Sequence, residues 1–200
     1  MCNIFKHLFI LLNSCSNYQT INMVNSMLKE LKLLKIFFEE PNREVSVREY
    51  AKLQKISPAT ASKLLKNFTK NGILKEKKQR IFNFYAANLD DERYRDLKVY
   101  YNIRKIKESG IIEAINKFYM KPLILLFGSF AFGTDTETSD VDLLIISEKT
   151  KEFQDLKIFE KRIGRRIQIF VFKDIKDIKN RNLVNSMLNG IVIQGEIKWI

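Results

Sequence analysis

Only two cysteines occur in the 200 residues, Cys2 and Cys15, and both fall within the first fifteen positions. No disulfide or thiolate-metal framework can therefore staple the remainder of the chain, which fits a reducing, cytoplasmic location. Histidine is scarcer still: His7 is the single one, and its place in the leading segment removes it from the candidates for catalysis. A long apolar run is missing there as well. Ile4 to Leu12 is interrupted by Lys6 and His7 and is too short to cross a bilayer, so no membrane partner is expected. Residues 1–24 read as a poorly ordered extension or a start-site artefact, with Met23 as the alternative translation start.

What is present describes a chain that folds. Apolar residues make up 46% and charged residues 29%, far from the regime of disorder, and the length suits one large domain or two small ones. The net charge of +12 is unevenly placed. Residues 24–88 carry 14 Lys and Arg against 6 Asp and Glu, whereas residues 89–200 carry 20 against 17. A basic excess packed into one third of a chain is the footprint of a polyanion binder, because each cation near a phosphate releases condensed counterion.

Within that basic third, Met27, Leu28, Leu31, Leu34 and Phe38 recur at helical spacing and predict an amphipathic helix over residues 25–40, ended near Pro41. Ser46-Val47-Arg48-Glu49 matches a capping box and opens a second helix, Val47 to Lys55. Ser57-Pro58 supplies an N-cap and a first-turn proline for a third, which Gly72 stops. Leu64, Leu65 and Phe68 face the core, leaving Ser57, Thr60, Ser62, Lys63 and Lys66 as candidates for DNA contact. Ile73 to Tyr85 reads as two strands around a basic turn whose Lys77, Lys78 and Arg80 suit phosphates. Helix, helix-turn-helix and basic hairpin over residues 25–87 together resemble the winged-helix family of transcription regulators. The resemblance implies double-stranded DNA as a partner.

Residues 88–120 form a helical connector: a charged surface helix from Leu89 to Lys107, a break at Ser109-Gly110, and a shorter helix from Ile111 to Tyr119. The stripe of Tyr94, Leu97 and Tyr101 is expected to pack against a neighbouring domain or to form a seam between two copies of the chain.

The chemistry lies further on. Leu123 to Phe127 is an apolar run of strand length, followed at once by Gly128-Ser129, then Gly133, a polar loop Thr134 to Thr138, and Ser139-Asp140-Val141-Asp142 leading into a second strand. Residues two apart on a strand share a face, so Asp140 and Asp142 stand side by side. Adjacent carboxylates repel unless a cation lies between them, and Mg²⁺ is the cation that takes one or two carboxylates plus substrate phosphates. Gly128 lets a backbone approach a phosphate, and Ser129 offers it donors.

The string GSFAFGTDTETSDVDLLI closely resembles the signature of the DNA polymerase beta nucleotidyltransferase superfamily, and within it the minimal nucleotidyltransferases, including winged-helix fusions of archaeal type. The resemblance spans residues 121–200. It implies Asp140 and Asp142 as catalytic metal ligands, and Gly128, Ser129, Gly133 and Ser139 at the nucleotide. It implies a third carboxylate on a later strand, and there Ile167 to Phe172 places Gln168 instead. A helix from Glu152 to Arg162 precedes that strand; Asp174 and Asp177 are solvated loop residues; Leu183 to Leu188 is a helix capped by Gly190, and Ile191 to Gly195 a final strand.

The fold expected is therefore α+β: a winged helix-turn-helix, the helical connector, and a small mixed sheet with helices on one side. The leading function is Mg²⁺-dependent transfer of a nucleoside monophosphate from a nucleoside triphosphate to a hydroxyl. Two alternatives stand beside it. One is a DNA-binding regulator whose degenerate transferase domain senses nucleotide, and the other is an antitoxin that modifies a partner toxin.

Overall fold

A computed structural model describes residues 17–79 and 81–196, and over residues 17–27 the course of the helix. Both cysteines, His7, the run Ile4 to Leu12 and Arg80 lie outside the described residues. The chain divides into two compact units, Met1–Asp96 and Leu97–Ile200, with eight α-helices and two sheets among the described residues. No helix of the described residues is long and apolar enough to cross a membrane.

In the first unit, helix α1 (Asn17–Glu39) begins eight residues ahead of the expected start. Its buried stripe is Leu31, Leu34, Phe37 and Phe38. Strand β1 (Val45–Ser46) and helix α2 (Val47–Gln54) follow. The capping box forms by half. Ser46 Oγ accepts from the Glu49 amide, but the Glu49 carboxylate is taken by the Arg43 guanidinium at 2.7 Å. Lys55 turns the chain with φ 54°, and helix α3 (Pro58–Lys70) starts on the Ser57 cap as expected. Ala61, Leu65 and Phe68 enter the core while Leu64 is only half-buried.

Strands β2 (Leu74–Gln79) and β3 (Phe82–Ala87) form the hairpin. Strand β2 runs further than the sequence suggests, and Lys75, Lys77 and Lys78 belong to it rather than to the turn. β1 joins the other edge of β3, through Val45 opposite Tyr85 and Ser46 opposite Phe84, giving the order β1-β3-β2.

Helix α4 (Glu92–Ser109) crosses the boundary between the units. In the first unit Tyr94 stacks obliquely on Phe38 and donates its hydroxyl to the Phe37 carbonyl at 2.7 Å. The surface helix expected here is a correction: Lys98, Val99, Asn102, Ile103 and Ile106 are all buried. Three and four residue steps along an otherwise polar helix are enough to carry one inward face.

The second unit continues with helix α5 (Ile111–Tyr119), strand β4 (Leu123–Phe127), helix α6 (Gly128–Phe132), strand β5 (Val141–Ile146) and helix α7 (Leu156–Ile163). Helix α7 starts four residues later than expected. Strand β6 (Ile167–Phe172), a capped 3-10 turn (Ile175–Asp177), helix α8 (Arg181–Leu188) and strand β7 (Ile191–Gln194) complete it. The sheet order is β6-β5-β4-β7, with β5 and β6 parallel and the other pairs antiparallel.

Two features of this sheet differ from expectation. Helices cover both faces rather than one: Ile124, Leu143 and Ile167 pack with α4, α5 and α7, while Leu125, Leu144 and Phe170 pack with the 3-10 turn and Met187 of α8. The second difference is at Gly190, which follows the C-cap Asn189 instead of being the cap. A Cβ at Gly190 would lie 2.6 Å from the Leu126 carbonyl, so this glycine is required by close approach to β4. Asp174 and Asp177 are exposed as expected, yet they have work to do as the reciprocal cap of the 3-10 turn.

Candidate active site

Strand alternation sorts β5 into two sets. Val141, Leu143 and Ile145 enter the core on one face, so Asp140, Asp142 and Leu144 belong to the other. On β6 the same rule puts Gln168 with Phe170, apart from Ile167 and Ile169. Asp142 stands opposite Phe127 of β4 on one side and Gln168 of β6 on the other. The polar end of the second face is thus made of Asp140, Asp142 and Gln168, next to the apolar cluster of Leu125, Phe127 and Leu144.

Gln168 sits where the third acid was expected. Its Nε2 donates to Asp140 Oδ2 at 2.6 Å, which occupies one carboxylate oxygen with a neutral amide. Asp142 is half-buried, and burial pushes its carboxyl above the ordinary aspartate range, with the charge of Asp140 adding to the effect. Both causes penalise the ionised form, and both would be relieved by a cation beside the pair.

Gly128 follows β4 and opens α6 with φ 71°, and it lies against Asp142: a Cβ there would come within 2.4 Å of Asp142 Oδ2. Only a residue without a side chain allows this carboxylate and this turn to meet. Gly128→Ala should accordingly cost about 1–2 kcal/mol in stability from the left-handed backbone alone and also displace Asp142. Thermal melting, and nucleotide binding with Mg²⁺, give the check; a variant that melts and binds as the parent does would show that the contact is not needed.

Helix α6 closes on Gly133, buried and with φ 66°, and its N–H reaches the Ser129 carbonyl. Ser139 has a local task, its hydroxyl accepting from the Thr136 amide at 2.9 Å to close the turn into Asp140. Of the residues singled out from the sequence, Gly128, Asp140 and Asp142 come together directly, Ser129 and Gly133 hold the short helix beside them, and Ser139 braces the approach. Sequence reasoning missed Asp135, which it left in a polar loop and which is 1% exposed. Its only signal was a lysine and an asparagine four apart on α4, Lys98 and Asn102, within a helix whose charges looked evenly solvated.

The DNA candidates lie in the first unit. Ser57, Thr60, Lys63 and Lys66 are exposed along α3 and its cap, and Ser62 is half-buried. The Ser57 hydroxyl caps α3 by accepting from the Thr60 amide and lies 2.9 Å from Thr60 Oγ1. Lys77 and Lys78 are exposed on β2, with Lys77 Nζ held by Glu44 at 2.8 Å.

Residues 108–192 match the family model of the nucleotidyltransferase domain. That span contains Gly128, Ser129, Asp140, Asp142 and Gln168. A search of curated proteins returns no match.

Proposed function

Starting from the nucleotidyltransferase-domain match, we propose that the second unit transfers a nucleoside monophosphate from a nucleoside triphosphate to a hydroxyl acceptor, using Mg²⁺ held by Asp140 and Asp142. The observation that carries this reading is the half-buried Asp142 lying against Gly128 and beside Asp140, its carboxyl pushed up by burial and by the neighbouring charge, a place where a cation would be favoured. The donor set fits one such ion, with the hard carboxylate oxygens of Asp140 and Asp142 at the end of a sheet face, and Mg²⁺ would take its remaining ligands from substrate phosphates and water. When bound, Mg²⁺ supplies charge neutralisation to the triphosphate and to the oxygens made and broken at phosphorus.

The chain's own groups bind and orient. The Gly128-Ser129 turn receives the phosphates, and Ser129 supplies a hydroxyl. The acceptor oxygen forms a bond to the α-phosphorus as the bond to the bridging oxygen breaks, and pyrophosphate leaves. Gln168 can orient the acceptor hydroxyl, but it cannot take its proton, so that proton passes to solvent or to Asp140. Incubating the protein with labelled nucleoside triphosphate, Mg²⁺ and cell extract tests this. Labelled acceptor and pyrophosphate are expected, and their absence at every acceptor concentration would remove the transferase reading.

Gln168 supports a second reading, that of a nucleotide sensor which binds with Mg²⁺ and transfers nothing. For either reading we propose a cytoplasmic protein whose first unit is a winged helix on duplex DNA, with α3 toward the bases and β2 toward phosphates. The concentrated positive charge of residues 24–88 and the exposed lysines of α3 and β2 support this. Replacing Lys77, Lys78 and Arg80 by Ala should weaken binding to all sequences alike. It should also flatten the dependence of log affinity on log salt by up to about one unit per lost phosphate contact. An unchanged slope, measured on a mixed-sequence duplex, would mean that β2 and its turn do not touch DNA.

A further inference from the structure

The segment that joins the two halves of the site, from Gly128 to Asp142, is gripped by three almost fully buried polar side chains: Lys98 at 0%, Asn102 at 2% and Asp135 at 1% exposure. Lys98 and Asn102 are four apart on α4 and so share a face. Asn102 Nδ2 donates to the Phe130 carbonyl at 2.9 Å and to Asp135 Oδ1 at 2.8 Å. Lys98 donates to the Asp135 carbonyl, and its Nζ lies 3.3 Å from Asp135 Oδ2. The grip therefore holds helix α6 at its middle and the following loop at Asp135, just ahead of the Thr136–Ser139 turn that delivers Asp140.

Burial of an ion pair is a poor way to gain stability, since desolvation of both partners offsets most of their attraction. That cost is visible here: burial pushes Asp135 up and Lys98 down, each opposed by the other's charge. Apolar side chains could fill the same space. What they could not do is fix two backbone carbonyls by directional hydrogen bonds, and the two carbonyls in question belong to the helix after Gly128 and the loop before Asp140.

We propose that Lys98, Asn102 and Asp135 are positioning residues for the nucleotide site, setting the distance between the Gly128-Ser129 turn and the Asp140-Asp142 carboxylates. None of the three touches nucleotide; they act through Phe130 and the loop. The inference rests on the nucleotidyl-transfer reading of that site.

The test separates positioning from stability in the full chain. The double variant Lys98→Met with Asp135→Leu removes both charges, so no buried charge is left unpaired; the carbonyl of residue 135 and one donor arm of Asn102 lose their partners, and the melting temperature should fall only by the few degrees that such losses cost. Its affinity for a fluorescent trinitrophenyl-ATP probe with Mg²⁺ should nonetheless fall about tenfold or more, as expected when binding groups lose their preorganised placement. Amide hydrogen exchange over residues 133–140 should quicken as well. Asn102→Ser leaves the ion pair in place and gives the same comparison if the double variant does not fold.

A stable variant with parental probe affinity overturns the proposal. If the parent itself fails to bind the probe with Mg²⁺, the nucleotide reading of the site falls, and the exchange measurement still decides the placement of the loop: unchanged protection in the variants overturns it, and lost protection supports it.

Discussion

Asp142→Asn is expected to do two opposite things: to remove Mg²⁺-dependent nucleotide binding and transfer by more than about 10²-fold, and to make the metal-free protein more resistant to heat at neutral pH. The first follows from the proposed role of Asp142 as a charged ligand. The second follows from the raised carboxyl of Asp142, whose causes are burial and then the neighbouring Asp140. A carboxyl raised in the folded state binds its proton more tightly there than in the unfolded chain. The contribution of Asp142 to stability is therefore most favourable at pH below the ordinary aspartate value of 3.8 and is lost as pH rises through the raised value.

The amide carries no such charge, so the variant escapes this decline, gaining about 2–4 °C in melting temperature for each kcal/mol of cost removed. Melting curves of parent and variant without metal, from pH 4 to about pH 8, should diverge as pH increases. Curves that stay parallel would show that Asp142 is not strained by its surroundings. Unimpaired binding in the variant would remove it from the metal site.

The second large effect concerns Gln168. Its amide already reaches Asp140 Oδ2 at 2.6 Å, so Gln168→Asp or Gln168→Glu places a carboxylate beside the existing pair. A third acid offers a proton acceptor for the attacking hydroxyl, and a positioned general base typically contributes about 10² to 10⁴ in rate. In a weakly active or silent parent, metal-dependent transfer should rise by that order toward any available acceptor, the protein itself included. Without metal the same substitution crowds a third like charge into the site, so the melting temperature should drop and recover on adding Mg²⁺. A parent already fast, with no gain from either variant, would mean that the neutral amide is part of a working site.

The contrast between these two positions shows what a sequence can and cannot convey. Gly128, Asp140 and Asp142 were legible because strand period and a short turn fix their neighbours locally, whereas Gln168 was placed by the resemblance, which puts a third carboxylate on a later strand; its register opposite Asp142 is set by a parallel pairing that the residues alone do not reveal. The Ser57-Pro58 start of α3 was equally plain, since capping is settled within a single turn of backbone. Strand β1 was not, because two residues carry no period and owe their conformation to Phe84 and Tyr85, about forty positions on. Glu49 left its expected cap for Arg43, a competition between two local partners that composition does not weigh. Asp135 was read as solvated because loop aspartates usually are, and only the meeting of α4 with the loop reverses that expectation. The second helical layer on the sheet escaped for the same reason: Met187 and Ile178 become a covering face only once β7 has brought α8 back to β4.

That return has a consequence for the order in which the chain acquires its shape. β4 lies between β5 and β7, and its pairing with β7 joins Ile124 to Gln194, seventy residues apart. In the first unit the main pairing is a hairpin, where Gln79 pairs with Phe82 only three positions on and the rest zips from there. Contacts close in sequence form early because little chain entropy is lost in closing them, whereas distant ones wait. During synthesis, then, the lysine-bearing hairpin can be complete while β4, with Gly128 at its end, still has one side without a partner. β4 is thus among the last strands of the described chain to be paired on both edges, and an exposed apolar strand such as Leu123–Phe127 is what a folding chain most needs to shield in that interval.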